Sequence, residues 1–314
     1  MSERATAVIV AAYNAEATLG RAVKSALAQP DVREVCIVDD CSTDDTRACA
    51  EKLARAHEKI RTLSTERNAG PAAARNLAIA ATVAPWIAVL DADDYLLEGR
   101  IATLHALAGD ADFIADSLLR VAVGEDPPPI AGALETHSLD FTSFVRGNLG
   151  AETGPLDLGY LKPMFRRAFL NQHRLRYRDD MRLGEDYEFY ARALALGARF
   201  LTCGPAGYVS VERSGSLSKA HSEADLQRLR DCDDALATLR PLSPEEQRAL
   251  RRHWNSVDCR LQWRRLITAV KNRDFGAALA TFRSPHAALF LATRLGEQAW
   301  LRSSAIARGV APGP

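Results

Sequence analysis

The N-terminal third of this chain leaves few folds open. It carries four short apolar runs, each ending in polar or acidic residues. Thr6–Ala12 is β-rich, residues 35–38 end in Asp39-Asp40, Ile60–Ser64 reads as a third strand, and residues 86–90 run into Asp91-Ala92-Asp93-Asp94. Helical patterns separate them. Asn14 is placed to cap a helix whose core face carries Leu19, Val23 and Leu27. Ser42, Thr43 and Asp44 supply caps for a second helix, and Pro71 suits the first turn of an alanine-rich third. This βαβαβαβ order predicts a mostly parallel sheet with helices on both faces. Ligands of such sheets lie beyond the carboxyl ends of the strands, where this chain gathers its polar residues.

Beyond residue 100 the pattern loosens. Pro127-Pro128-Pro129 marks an exposed loop, residues 138–146 suggest a short helix, and Gly184-Glu185-Asp186 opens a helix with Phe189, Ala193 and Leu196 as its expected buried stripe. Residues 214–218 are flexible in composition. The rest reads as helical: about 223–239, 244–271, 275–282 and 285–308, with Ser243-Pro244-Glu245-Glu246 as a capping box.

Lys+Arg and Asp+Glu both total 40, so net charge offers no argument for a nucleic-acid partner. No apolar run approaches the ~20 residues of a membrane span, and Met1-Ser2-Glu3-Arg4 lacks a secretory hydrophobic segment. Six scattered cysteines without zinc spacing read as reduced thiols, and the expectation is a cytoplasmic protein. Charge is nevertheless uneven: from Arg248 onward basic residues far outnumber Asp258, Asp274 and Glu297.

The acidic strand ends carry the chemistry. Three carboxylates within 91–94 repel one another unless a cation sits among them, and Mg²⁺ or Mn²⁺ bound through one or two carboxylates completes its shell with phosphate oxygens. Taken alone, the D-x-D divides evenly between that reading and a turn or cap. In extended chain Asp91 and Asp93 share a face, while Asp94 is expected to cap the following helix. The first strand lacks G-x-G-x-x-G, against a dinucleotide oxidoreductase, and ends without the acidic pair of a phospho-receiver.

Five motifs stand in order: residues 10–14 (Val-Ala-Ala-Tyr-Asn), 38–46 (Val-Asp-Asp-Cys-Ser-Thr-Asp-Asp-Thr), 68–76 (Asn-Ala-Gly-Pro-Ala-Ala-Ala-Arg-Asn), 90–94 (Leu-Asp-Ala-Asp-Asp) and Gly184-Glu185-Asp186. In order and spacing they resemble the family-2 nucleotide-sugar glycosyltransferases, inverting enzymes of GT-A fold, most closely those that build bacterial exopolysaccharides. The resemblance covers about residues 5 to 220. It implies an α/β GT-A domain over residues 1–221, a mostly parallel Rossmann-like sheet flanked by helices, with a basic helical C-terminal extension over 222–314.

The resemblance also assigns roles. Asp40 accepts the N3–H of uracil, or of thymine, with Ala11 and Tyr13 beside the base or ribose. Asn68 and Arg75 meet the diphosphate or a base carbonyl. Asp93 binds the divalent metal, Mn²⁺ or Mg²⁺, and Asp91 the ribose or a metal-bound water. Asp186 is the general base and Glu185 orients acceptor or base; Lys219 and His221 are candidates for metal or phosphate contact. The implied partners are a UDP-sugar donor and a saccharide acceptor, lipid-linked in this class. The alternative is a sugar-nucleotide-binding module without catalysis.

The basic helices admit two readings. Arg251-Arg252 and Arg264-Arg265, interleaved with Trp254, Trp263 and Leu266, suit an anionic membrane surface, placing a peripheral protein on the inner membrane face. They equally suit packing on the catalytic domain or a homodimer interface.

Overall fold

A computed structural model describes residues 3–132, 134–149, 158–212 and 221–307. The chain divides into two compact units, Met1–Lys219 and Ala220–Pro314.

The first unit opens with β1 (Thr6–Ala12), α1 (Leu19–Leu27), β2 (Val32–Asp39), α2 (Thr46–Ala56), β3 (Ile60–Ser64), α3 (Pro71–Ala81) and β4 (Trp86–Val89). β1 is parallel to both β2 and β4, and β2 to β3. Right-handed crossovers carry the chain outward through α1 and α2 and back through α3, which therefore lies on the opposite face. That reversal puts a topological switch point at β1, beside β4. Covered on both faces, β1 and β4 are apolar nearly throughout.

Asn14 is not a helix cap: α1 begins only at Leu19. Asn14 adopts φ 49° and its side-chain oxygen accepts from the Thr43 amide at 2.9 Å, binding the end of β1 to the loop after β2. The N-cap of α2 is Asp45, without a side-chain cap bond, rather than Ser42, Thr43 or Asp44; Asp44, one residue earlier, accepts from the Thr46 amide at 3.0 Å.

The middle of the chain is richer in strands than its sequence suggests. β5 (Tyr95–Leu96), α4 (Arg100–Ala108), β6 (Phe113–Asp116), β7 (Leu119–Ala122), β8 (Thr136–Leu139), α5 (Phe141–Arg146), β9 (Met164–Arg166), α6 (Arg167–Gln172), α7 (Glu185–Ala195), β10 (Phe200–Cys203) and β11 (Tyr208–Glu212) complete the unit. The expected helix at 138–146 is helical from Phe141 onward; Ser138 and Leu139 end β8, and Asp140 caps α5. The main sheet has the order β3-β2-β1-β4-β9-β6-β10-β8, and β5-β11-β7 form a small second sheet. β9 enters antiparallel between β4 and β6, and β8 pairs antiparallel on the edge. The sheet is therefore mixed at this end, parallel at the other.

β9 matters most for the site. Running against β4, it brings its start beside the end of β4. Phe113, Phe165, Phe169, Phe189, Tyr190 and Phe200 form an aromatic core around β6, with the Phe113–Phe165 rings 5.3 Å apart. α7 runs through this core rather than lying on it. Its residues 186–191 and 193–195 are all buried, so the single stripe expected from Phe189, Ala193 and Leu196 is too narrow a description.

The second unit comprises α8 (Glu223–Leu239), α9 (Pro244–Lys271), α10 (Phe275–Ala280) and α11 (Pro285–Ala307), close to the sequence-based limits. Ser222 and Ser243 each head a complete capping box. Much of the expected Arg–Trp stripe is used inside this unit. Trp254 is flanked by the Arg230 and Arg251 guanidinium groups at 5.3 and 5.7 Å, Arg265 donates to Gln227, and Leu266 is buried. Large apolar side chains are exposed at Leu239 and, further on, at Val270, Phe275, Leu279, Leu289, Leu295 and Trp300. No described helix is long and apolar enough to cross a membrane.

Candidate active site

The carboxyl ends of β1, β2 and β4, the start of α3, the residues before β9 and the start of α7 meet at one rim. At its centre two cations and three carboxylates interlock. Arg75 Nη1 donates to Asp186 Oδ1 at 2.9 Å and to Glu185 Oε1 at 3.2 Å, and Nη2 donates to Asp91 Oδ1 at 2.9 Å. Lys162 Nζ lies 2.7 Å from Asp186 Oδ2 and 3.0 Å from Asp91 Oδ2. Asp91 and Asp186 are therefore joined by two parallel cationic bridges, one per oxygen pair.

Local sequence explains each placement. Pro71 starts α3 after Gly70, whose φ of 93° suits glycine, and the alanine-rich first turns let the Arg75 stem lie buried against the sheet. Gly184, in the left-handed region at φ 69°, turns the chain into α7 so that Glu185 and Asp186 stand in its first turn. Acids there are favoured by the helix dipole. Lys162 precedes Pro163, which biases it to extended backbone. The Lys162 carbonyl accepts from Arg100 Nη2 at 2.7 Å and the Leu161 carbonyl from the Tyr190 hydroxyl at 3.0 Å.

Burial and pairing oppose each other across this group. Burial alone would raise the Asp91 carboxyl, but Lys162 and Arg75 hold it down to about 2. Glu185 is pushed up, by burial first and then by the neighbouring Asp186 charge, Arg75 only partly offsetting them. Burial works to lower Lys162, but Asp186 and Asp91 overcome it and raise it. Asp94, three residues from Asp91, has burial and the Asp91 charge against it and is raised to about 7.

Asp94 does not cap a helix. Its Oδ1 accepts from the Val211 amide of β11 at 2.9 Å, and the chain goes on into β5. Residues 91–94 form a turn, closed by the Asp94 amide on the Asp91 carbonyl at 3.1 Å, so the shared face of an extended Asp91 and Asp93 does not apply. Asp91 turns inward to the cations, and its amide donates to the Tyr208 hydroxyl at 3.1 Å. Asp93 is only half-buried; Arg21 holds its carbonyl at 3.0 Å.

The nucleotide-side candidates lie along the same rim. Asp40 is buried at the end of β2. Its Oδ1 accepts from the Thr65 hydroxyl and the Ala69 amide, both at 2.9 Å, and Oδ2 from the Gly70 amide at 2.7 Å. It thus shapes the β3–α3 loop and retains acceptor capacity on Oδ2. Asn68 in that loop is clamped by Arg182, Nη1 to its side-chain oxygen at 2.9 Å and Nη2 to its carbonyl at 2.6 Å. Ala11 is half-buried near the end of β1, and Tyr13 is exposed just beyond the strand.

Of the remaining candidates, His221 belongs to the second unit, where its carbonyl accepts from Arg264. Lys219 and residues 214–218 lie outside the described residues.

Sequence reasoning missed Lys162, Arg182, Tyr177 and Tyr208. Tyr177 stacks on Phe189 at 4.1 Å and faces the Arg75 guanidinium at 5.4 Å. Lys162 left one signal: it is the only lysine between residues 60 and 218, set in the apolar stretch Leu161-Lys162-Pro163-Met164-Phe165.

For a divalent metal, the donor set fits an ion held mainly by substrate. Among the described residues no three His, Cys, Asp or Glu side chains gather into a cage. Both Asp91 oxygens already face cations, and Asp93, half-buried in the same turn, is a further carboxylate at this part of the rim. One or two carboxylates with phosphate oxygens is the usual arrangement for Mg²⁺.

The chain is similar to known proteins in sequence and in fold. Residues 7–171 match the family model for glycosyl transferase family 2. The chain is 40% identical over 290 residues to the succinoglycan biosynthesis protein ExoU of Rhizobium meliloti (strain 1021), covering 90% of this chain and 84% of that protein. Among solved structures, S. aureus TarS 1–349 in complex with UDP-GlcNAc superposes with a TM-score of 0.63 at 19% identity, covering 88% of this chain and 90% of that one. The mannosyltransferase PcManGT from Pyrobaculum calidifontis, in complex with GDP-Man and Mn²⁺, gives a TM-score of 0.57 at 18% identity over 95% of this chain and 80% of that one.

Proposed function

The chain belongs to glycosyl transferase family 2 and has the GT-A fold, and from that premise we propose that it moves a hexose from a UDP-sugar to a hydroxyl of a growing, lipid-linked saccharide in exopolysaccharide assembly, inverting the anomeric centre. The observation that carries this reading is the closed pairing of Asp91 and Asp186 through Arg75 and Lys162. It sets a carboxylate from the donor side of the rim within one cation's width of a carboxylate on the facing helix. The relatedness to ExoU supports exopolysaccharide as the product class. Glycosyltransferase membership leaves the module without catalysis unsupported.

In this reading Asp40 accepts the pyrimidine N3–H on its remaining Oδ2 lone pair, flanked by Ala11 and Tyr13. Thymine presents the same donor, so dTDP-sugars belong in the same assay. Asn68, gripped by Arg182, fixes the loop over the nucleotide. Arg75 is engaged by three acids and acts by ordering them more than by reaching phosphate. Asp93 would hold Mn²⁺ or Mg²⁺, with Asp91 as the second acid of the pair. A bound ion supplies Lewis-acid offset of the charge developing on UDP. Asp186 takes the acceptor proton as the hydroxyl oxygen attacks opposite the leaving group, with Glu185 against the acceptor.

The test is UDP release from a panel of UDP- and dTDP-sugars, with and without Mn²⁺, in the presence of lipid extracts as acceptor. Metal-dependent release with one donor is expected. Binding of the nucleotide without turnover of any donor argues against the reading.

A lipid-linked acceptor also asks for access to a membrane. The exposed Phe275 and Leu279, one helical turn apart on α10, and Trp300 on α11 stand in a unit rich in arginine and suit an anionic surface better than Trp254 and its neighbours do. A peripheral protein on the cytoplasmic face of the inner membrane follows. Pelleting with phosphatidylglycerol vesicles at low salt, lost in Phe275→Glu/Leu279→Glu, is the expected result. Vesicle-independent dimerisation lost in the same variant instead assigns these side chains to a homodimer.

A further inference from the structure

A general base works only if its carboxylate is held in one orientation. Asp186 lies at the start of α7, and each of its oxygens meets a different cation. Arg75 is rooted in α3, and Lys162 comes from the residues leading into β9. The Lys162 side chain is only 7% exposed, and its backbone is pinned by Arg100. A lysine so buried requires charge partners. It has two, from separate elements: Asp186 Oδ2 at 2.7 Å and Asp91 Oδ2 at 3.0 Å.

We propose that Lys162 is a positioning residue for glycosyl transfer, clamping Oδ2 of Asp186 and Oδ2 of Asp91 so that the base keeps a fixed distance from the donor-side carboxylate. The inference rests on the reading of Asp186 as the base. Arg75 alone cannot do this, because its Nη1 is shared between Asp186 and Glu185 and leaves Asp186 free to pivot about Oδ1. With Lys162 the carboxylate is held at both oxygens. Removing the lysine leaves Asp91 one cation, so donor binding persists while alignment of the base is lost. Misplacing a reacting group by about 1 Å can lower a rate by roughly 100-fold.

The experiment measures steady-state transfer by Lys162→Met, Asp186→Asn and the double variant, using the donor that the wild type turns over. Lys162→Met is expected to lower kcat by about 30-fold or more, with KM for the donor within about threefold of wild type. In the double variant the loss should equal that of Asp186→Asn alone, since Lys162 acts through Asp186. Lys162→Cys treated with 2-bromoethylamine, which rebuilds a lysine-length cation, should regain most of kcat. Wild type alkylated in parallel controls for its own thiols, and thermal melts of each variant report folding.

Unchanged kcat in Lys162→Met, a donor KM that rises while kcat holds, or losses that multiply in the double variant each overturn the proposal. If Lys162→Met does not fold, recovery of the melt without recovery of kcat in the alkylated cysteine variant overturns it equally. Full activity in Asp186→Asn removes the base reading itself. An inactive Asp186→Asn beside an unaffected Lys162→Met removes only the role of Lys162.

Discussion

Two buried charge groups lie close together behind the same strand ends and are built in opposite ways. Arg100 and Asp116 are wholly enclosed. Asp116 Oδ1 takes Nε and Nη2 of Arg100 at 2.9 and 2.7 Å, and Oδ2 takes the amides of Ala206 and Tyr208, each at 3.0 Å. One cation meets one anion, and both carboxylate oxygens are doubly used. The rim group instead sets Arg75 and Lys162 against Asp91, Glu185 and Asp186, and the Asp91 side chain is 30% exposed. A closed pair whose two carboxylate oxygens are both occupied offers a cation no acceptor and serves the fold, although Arg100 Nη1 is buried without a hydrogen bond. An open group with anionic excess beside Asp93 attracts a divalent cation. The two are also coupled: Arg100 holds the Lys162 carbonyl, and Asp116 holds the Tyr208 amide, whose side-chain hydroxyl receives the Asp91 amide.

The sharpest test of this contrast changes charge at the rim. Asp186→Asn is expected to lower transfer by about 1,000-fold or more while leaving UDP binding intact, as fits removal of a base together with its oriented charge. Asp93→Ala should lose transfer to the same degree and, unlike Asp186→Asn, the Mn²⁺ dependence of UDP binding. Both should melt within a few degrees of wild type. UDP release assays and calorimetric titration of UDP with and without Mn²⁺ separate the two. Strong destabilisation by either substitution would make the rim group structural and erase the contrast.

Next in size is the enclosed pair. Arg100→Met leaves Asp116 buried without its cation and should lower stability by about 3–5 kcal/mol, read as a fall in the urea midpoint. Arg100→Met/Asp116→Asn should recover part of that loss, because it removes the unpaired charge while the Asn oxygen still accepts from the Ala206 and Tyr208 amides. Activity should follow folding in both variants. A single variant that keeps its urea midpoint yet loses transfer would place Arg100 with the rim group.

The comparison also shows what a sequence can disclose. β1 to β4 were legible because parallel strands covered on both faces must be apolar throughout, and each ends in polar residues at a predictable rim. Asp40, Arg75, Asp91 and Asp186 were singled out by motifs, and the structure puts them along one rim. Lys162 was not, because its partners come from β4 and α7 and meet it only once β9 inserts antiparallel, and nothing in Leu161-Lys162-Pro163 announces a three-residue strand in mid-sheet. Arg100 escaped for the same reason, its partner lying on β6 and its further contact before β9. Asp94 was misread as a cap because the cue for a cap and for a bond to a distant strand is the same short acid. The basic helices were legible in extent from their capping boxes. The direction their aromatic residues face was not, since Trp254 is enclosed by arginines from two helices.

Asp94 extends the contrast to a third arrangement, a buried acid met by an amide and a hydroxyl instead of a cation. Asp91 is held to about 2 by two cations, whereas Asp94, receiving only the Val211 amide and the Tyr208 hydroxyl, is raised from 3.8 to about 7. Between those two values the folded chain keeps a proton that the unfolded chain has released. Stability contributed by Asp94 is therefore complete below pH 3.8, falls as pH rises and is gone above about 7. Raising the pH of metal-free protein from 5 to 8 should withdraw about 3 kcal/mol at most, or a fall in melting temperature of about 5 °C. Asp94→Asn keeps an acceptor for the Val211 amide and cannot ionise, so it should remove that part of the slope. Melts in EDTA across this range compare the two proteins. Equal slopes would mean that Asp94 is ionised in its pocket and finds compensation there, which would put it with Asp91 among the paired acids of the rim.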